Sequence, residues 1–260
     1  MNKPFVRVLG SADWRPTAGN DHSCYTLSDV ALIDCCAGVI TNLLGQDVDP
    51  TQMHYVFFTH MHADHYMGLG PLLHYWRVRF ASLENLTLIG PKATLAKAYE
   101  LARTYAFHDS TDLYAEIKQD ARLVELEGNC SFDFDGWHVD VMDSVHAVPG
   151  LCYRFTHNET GRSVGFTGDT QYQPEFAQFF GNVDLLLHEC SFGGGPLPEF
   201  NKVCGHSSAI EAVRVCKEAE VKRMLLTHTY EPNREAALRV ANEGLTIPVE
   251  WAMPGKVFEI

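Results

Sequence analysis

Apolar residues along this chain fall into two patterns. Short compact runs bounded by Gly, Pro, Asn or Asp predict buried strands, and longer stretches with apolar positions every three or four residues predict amphipathic helices. Phe5 to Leu9 is a strand, followed by a polar loop punctuated by Gly10, Pro16 and Gly19. Cys24 to Leu27 and Ala31 to Asp34, joined by the Ser28-Asp29 turn, extend it into a meander. Gly38 to Leu44 reads as a short helix ending near Gly45, and His54 to Thr59 as a strand buried on both faces. Leu69, Leu72, Leu73, Trp76 and Phe80 mark Tyr66 to Phe80 as an amphipathic helix. Leu86 to Ile89 is a further strand, Pro91 suits the first turn of a helix running to about Tyr105, and Asp112 to Gln119 forms another helix.

Strands then follow at Arg122 to Leu126, Phe132 to Phe134, Trp137 to Asp143, Leu151 to Thr156 and Ser163 to Thr167. From there the pattern alternates: helix Pro174 to Phe180, strand Asp184 to Glu189, helix Ser207 to Ala219, strand Arg223 to Thr227, helix Pro232 to Gly244, strand Val249 to Ala252. With no low-complexity linker and no fixed-period repeat, residues 1–260 read as one α/β domain of strands and helices in layers.

Composition narrows the partners. The 260 residues include 46% hydrophobic ones, enough for a substantial core. Acidic residues outnumber basic ones 33 to 20, a formal charge of −13, so no general attraction to nucleic acid or anionic membrane is expected. No export signal and no long apolar span are evident, and the expected setting is the cytoplasm. The eight cysteines form no Cys-x-x-Cys pair and are expected as free thiols; Cys35 and Cys36, adjacent at a strand end, should face opposite ways.

Candidate chemistry concentrates in Phe57 to His65, Phe-Phe-Thr-His-Met-His-Ala-Asp-His, at the carboxyl end of a predicted buried strand. Side chains two apart on an extended segment point the same way, so His60 and His62 can reach one cation together, while Asp64 and His65 follow where the chain turns into a helix and suit a second. Two four-coordinate ions need further donors. His146, Asp169 in Thr-Gly-Asp-Thr and His228 in Leu-Thr-His-Thr each stand just past a predicted strand, where loops build sites on layered folds. Any one of them alone would more often be a hydrogen-bonded histidine or a capping aspartate. Their joint occurrence after the His-rich stretch favours a metal centre.

These motifs resemble the ordered ligand motifs of the metallo-β-lactamase superfamily, and His188-Glu189-Cys190-Ser191 with Gly205-His206-Ser207-Ser208 resemble paired loops of its ribonuclease Z branch. The resemblance runs from Leu9-Gly10 to the closing strand Lys256 to Ile260 and implies a four-layer αβ/βα sandwich with the site along one edge. It implies that His60, His62 and His146 hold one metal, Asp64, His65 and His228 a second, and that Asp169 bridges both. Zinc is the default, and manganese or iron also suit such donors. Two cations sharing a water would bring it toward ionisation near neutral pH and place the resulting hydroxide between them. Asp64 would orient it or take its proton, His206 would assist the leaving oxygen, and Glu189 would balance His206. Ser207 would cap the following helix with Glu211 in its first turn.

The substrate is less determined. Bacterial ribonuclease Z forms commonly carry a long basic arm before the Gly-Asp motif, whereas here only Thr-His-Asn-Glu-Thr-Gly-Arg joins Phe155 to Ser163. That and the acidic charge disfavour transfer RNA processing and favour a small phosphodiester. Hydrolysis of a carboxylic ester, lactone or thioester is the alternative, with Trp14, Trp76 and Phe192 lining an apolar pocket bordered by the loop Ser11 to Ser23. A metal-binding biosynthetic accessory protein is the third reading. The apolar breadth of Tyr66 to Phe80 allows a homodimer.

Overall fold

The structure is a computed structural model that describes residues 3–107, 114 and 118–260. Strands β1 (Phe5–Ala12), β2 (Asp21–His22), β3 (Cys24–Leu27) and β4 (Ala31–Ile33) precede helix α1 (Val39–Leu44). Strand β5 (Tyr55–Phe57) leads into helices α2 (Ala63–Tyr66) and α3 (Leu69–Val78), followed by β6 (Thr87–Pro91), α4 (Leu95–Ala106) and β7 (Arg122–Leu126). The second half comprises β8 (Cys130–Phe134), β9 (Trp137–Asp143), β10 (Leu151–His157), β11 (Ser163–Phe166), α5 (Phe176–Phe179), β12 (Leu185–Glu189), α6 (Asn201–Cys204), α7 (Ala209–Glu218), β13 (Met224–Thr227), α8 (Arg234–Gly244), β14 (Val249–Trp251) and β15 (Val257–Glu259).

The strands form two sheets. One runs β15-β1-β3-β4-β5-β6-β7, with β2 beside β1; the other runs β14-β13-β12-β11-β10-β9-β8. Alternation sends one face of each inward: Val6, Val8, Tyr25, Ile33 and Phe57 from the first meet Val139, Tyr153, Phe155, Phe166 and Leu187 from the second in a shared core. The outer faces are covered by helices. Leu32, Val56 and Leu88 pack against Val39, Leu69, Leu72 and Leu95, and Cys152, Leu186 and Leu226 pack against Ala212, Val215 and Ala241. The order is therefore helix, sheet, sheet, helix, the four-layer αβ/βα arrangement expected from the motifs. Among the described residues no helix is long and apolar enough to cross a membrane.

Several local expectations are corrected. The helix anticipated over Tyr66 to Phe80 is two helices, because the junction at Gly68 is pinned against the Cys35-Cys36 segment: Gly68 N donates to Cys35 O at 3.0 Å, and a Cβ on Gly68 would lie 1.9 Å from Cys36 O. Pro91 ends strand β6 and does not start a helix; three residues intervene before α4. Ser208, not Ser207, is the N-cap of α7, forming a reciprocal capping box with Glu211, while Ser207 Oγ donates to Thr170 O at 2.7 Å. Cys35 and Cys36 both pack in the helical layer, since β4 ends at Ile33 and the left-handed turn at Asp34 (φ 58°) breaks the alternation. All eight cysteines are free. The helix expected over Asp112 to Gln119 falls largely outside the described residues.

Along one edge the sheets are joined directly. Leu151 N donates to Thr59 O at 2.7 Å, the Tyr153 hydroxyl to Phe58 O at 2.7 Å, and His228 N to Ser11 O at 2.9 Å. The carboxyl ends of β4, β5, β11, β12 and β13 open on this edge.

Candidate metal centre

Each singled-out side chain comes from a strand end on that edge. After β5 the chain supplies His60 and His62, then α2 places Asp64 in its first turn and His65 one residue later. His146 follows β9, Asp169 follows β11 and His228 follows β13. Gly168 makes the Thr-Gly-Asp turn feasible: its φ is +55°, and a Cβ there would meet Thr59 Cβ at 2.7 Å. His228 is left-handed too (φ 52°), a conformation that turns its ring back toward the cluster.

The ring nitrogens converge. His60 Nε2 lies 3.1 Å from His62 Nδ1, which lies 3.0 Å from His146 Nε2, and His65 Nε2 lies 3.2 Å from His228 Nε2. Oδ2 of Asp169 stands between the groups, 3.6 Å from both His60 Nε2 and His65 Nε2 and 3.3 Å from His228 Nε2. Asp64 Oδ2 is 3.5 Å from both His65 Nε2 and His228 Nε2. All seven residues named for two metals thus meet in one place.

The outer nitrogens show what the inner ones carry. His146 Nδ1 faces Gly205 O at 2.9 Å and His65 Nδ1 faces the Asp34 carboxylate at 2.8 Å; both partners only accept, so each Nδ1 bears the proton. Thr59 Oγ1 donates to Asp34 and accepts from His60 Nδ1 at 3.1 Å, while Ser191 Oγ donates to Glu189 Oε2 at 2.7 Å and accepts from His228 Nδ1 at 2.9 Å. In the neutral rings the Nε2 atoms of these four therefore carry lone pairs, and those of His65 and His228 face each other at 3.2 Å. Lone pairs about 3 Å apart repel unless a cation lies between them, and the spacing is near the ~3.3 Å between two donors at ~2.05 Å in a tetrahedral site. Four carboxylates, Asp34, Asp64, Asp169 and Glu189, are buried here as well, and positive charge offsets the cost of burying them. Divalent metal ions fit this donor set.

Without a cation the rings differ in charge. Burial holds His60 well below its ordinary pKa, with His65 adding to the effect. Burial also opposes charge on His65, but Asp169 and Asp34 outweigh it and raise that ring well above its ordinary value, so a metal ion there would displace the proton from His65 Nε2. His206 sits on the far side of Asp169, its Nδ1 3.7 Å from Asp169 Oδ2 and 3.1 Å from Glu189 Oε1. Although burial disfavours its charged form, the Glu189 carboxylate raises its pKa to about 9. Glu189 is itself fixed by N–H groups of Thr170 (2.9 Å) and Ser191 (3.0 Å).

Two expectations separate here. Phe192 is at the mouth, its ring 6.1 Å from that of His206, whereas Trp76 is 1% exposed in the helical layer, its indole N–H bonded to Pro50 O, and lines no pocket. His188 faces away from the cluster, fully buried with Nδ1 bonded to Glu189 O. Sequence reasoning missed Asp34, which orients His65, and Ser191, whose hydroxyl links Glu189 with His228. Asp34 carries the same signal as the other donors, a polar residue just past a buried strand; Ser191 carries none beyond its place beside Glu189.

A model of the beta-lactamase superfamily domain matches residues 31–229. The chain belongs to the metallo-β-lactamase superfamily. Within this superfamily it is 28% identical over 229 residues to the probable metallo-hydrolase YhfI of Bacillus subtilis, a match covering 86% of each chain. The crystal structure of YhfI matches with a TM-score of 0.83 at 25% identity, over 100% of both chains. Ribonuclease Z of Archaeoglobus fulgidus is 24% identical over 245 residues, covering 76% of each chain. The fold is also that of human tRNase Z, short form, with a TM-score of 0.74 at 21% identity over 98% of this chain and 99% of that one. These relatives set the chain in the ribonuclease Z-like branch, as a superfamily hydrolase with a His/Asp metal-binding cluster.

Proposed function

We infer that the protein is a two-metal phosphodiesterase acting on a small diester. His60, His62 and His146 would hold one ion, Asp64, His65 and His228 the other, and Asp169 both. Zinc suits these donors, as do manganese and iron. When bound, the ions supply Lewis acidity toward a phosphoryl oxygen and a water activated near neutral pH.

The observation that carries this reading is the pairing of Asp169 Oδ2, central to both donor groups, with half-buried His206 and buried Glu189 paired beside it. Glu189 and Ser191 occupy His206 Nδ1, which leaves Nε2 to deliver a proton to the departing oxygen. The Glu189 carboxylate raises the pKa of His206 and so favours its protonated form, which suits an anionic phosphodiester better than a neutral ester. Asp64 remains available to orient the attacking water.

A small substrate is supported by the turn between β10 and β11, which closes tightly through His157 N to Arg162 O at 2.8 Å and projects no arm. The net charge of −13 also opposes a polyanion as large as transfer RNA.

The test is metal analysis of the purified protein followed by assays on bis(4-nitrophenyl) phosphate and 4-nitrophenyl butyrate. Diester turnover that falls roughly 100- to 10,000-fold in His206→Ala, with metal content unchanged, supports the reading. Turnover of the butyrate alone would replace it with the carboxylic-ester alternative, and full metal content without turnover of either would favour the accessory-protein reading.

A further inference from the structure

Directly after Ala12 and His228, where the two sheets meet, two segments leave side by side. His228 N is bonded to Ser11 O, and Ala12 and Thr229 form an isolated parallel bridge, so Asp13 to Arg15 and Tyr230 emerge side by side. Tyr230 follows His228 by two residues. The base of this loop is fixed: Asn20 Oδ1 accepts from Ser11 N at 3.0 Å, and the Trp251 indole N–H donates to Ser11 Oγ at 3.0 Å.

Three flat groups stand on that base. The Arg15 guanidinium carbon lies 4.2 Å from the Tyr230 ring centroid and 4.9 Å from that of Trp14. Asp13, only 1% exposed, accepts the Arg15 backbone N–H at 2.8 Å and its Nε at 3.2 Å, which holds the guanidinium against the rings. Trp14 is 68% exposed, whereas Trp76, Trp137 and Trp251 are at most 4% exposed. Core packing does not account for an indole left in water on a fixed backbone. Because Asp13 neutralises Arg15, the cluster offers π faces more than net charge, and it suits an uncharged planar ring better than a second phosphate.

We propose that Trp14, Arg15 and Tyr230 form a stacking wall for a planar aromatic ring of the substrate, so that the diester hydrolysed here bears a nucleobase or an aryl group. This rests on the phosphodiesterase reading. The ring lies against Trp14 while the phosphate enters the centre past His228, and the wall acts on affinity and not on bond breaking.

Two measurements test it. Tryptophan fluorescence, excited at the red edge of its absorption, is titrated with adenosine 5′-monophosphate, phenyl phosphate and, as the ring-free control, ribose 5-phosphate. Saturable quenching by the ring-bearing ligands only, with its amplitude lost in Trp14→Leu, is the expected result. Tighter binding of the nucleotide identifies a nucleobase, and tighter binding of phenyl phosphate an aryl group. Quenching equal to that by ribose 5-phosphate, no quenching, or quenching that survives Trp14→Leu overturns the wall. In the second measurement, kcat/KM for bis(4-nitrophenyl) phosphate should fall about tenfold in Trp14→Leu, through KM with kcat held, the size of one base–aromatic stack. An unchanged KM overturns the wall and leaves the hydrolase standing. Ring-dependent quenching in a protein that does not hydrolyse this diester overturns the phosphodiesterase reading instead.

Discussion

Asp34→Asn preserves shape at the floor of the centre while changing one atom from acceptor to donor, and its consequences follow from three hydrogen bonds. The Asp34 carboxylate, 2% exposed, accepts the Thr59 N–H at 2.8 Å, the Thr59 hydroxyl at 2.9 Å and the His65 Nδ1–H at 2.8 Å. An asparagine must keep its oxygen toward the Thr59 N–H, which turns its NH₂ toward His65. Either His65 loses its partner, about 1.5 to 3 kcal/mol for a hydrogen bond to a charged group, or its proton moves to Nε2 and the inward lone pair disappears. Both outcomes weaken the group formed by Asp64, His65 and His228, by about 10- to 100-fold in metal affinity. The group formed by His60, His62 and His146 reaches Asp34 only through Thr59 Oγ1, which accepts from His60 Nδ1 and can still donate to the remaining oxygen, 3.1 Å away, and it should keep its affinity. Competitive chelator titration, read as metal bound per chain, should lose one of two transitions while circular dichroism is unchanged. Wild-type affinity at both sites, or equal loss at both, would refute the assignment of Asp34 to His65.

Three further outcomes are expected. Asp169→Ala removes the one oxygen near both groups and should abolish binding of both ions, with a lowered Tm; full metal occupancy by elemental analysis would contradict it. Gly68→Ala drives a Cβ into Cys36 O and should cost about 1 to 3 kcal/mol in denaturant melts, with displacement of α2 and weaker metal binding; unaltered stability would show that the junction yields freely. Burial opposes ionisation of Asp21, but hydrogen bonds from His22 and Gly38 outweigh it and hold its pKa at about 2, below the unfolded value of 3.8. The stability this gives, about 1 to 2 kcal/mol after allowance for solvent screening, is present above pH 4 and lost as pH falls toward 2. The stability difference between wild type and Asp21→Asn should shrink over that range, and a pH-independent difference would refute it.

What could be read from the sequence depended on how locally each feature is encoded. Strands such as Trp137–Asp143 and Arg122–Leu126 appear with the bounds expected, because a run of alternating or β-branched residues carries its own signal. The metal-type residues were legible because each directly follows such a run. The break in the helix at Gly68 was not, since it depends on Cys36 O approaching from a loop some thirty residues earlier. Trp76 looked like a pocket residue until α3 turned it toward Pro50. Ser191 gains its role only when β12 and β13 lie side by side and bring His228 against it, a relation of register that no single stretch encodes.

The joined edge also bears on how the molecule is made. The first sheet owns His60, His62, Asp64 and His65, and the second owns His146, Asp169 and His228, so neither half of the chain possesses a complete site. A nascent chain halted before Asp169 lacks Asp169 and His228, so ion uptake would be a checkpoint on docking and not a nucleus for it. Once captured, the ions would act as a cross-link between two sheets that the chain joins at residues 127–129 and again at 252–256, where β15 returns to the first sheet. A chain cut at residues 127–129 should reassemble as two fragments whose association tightens with added metal.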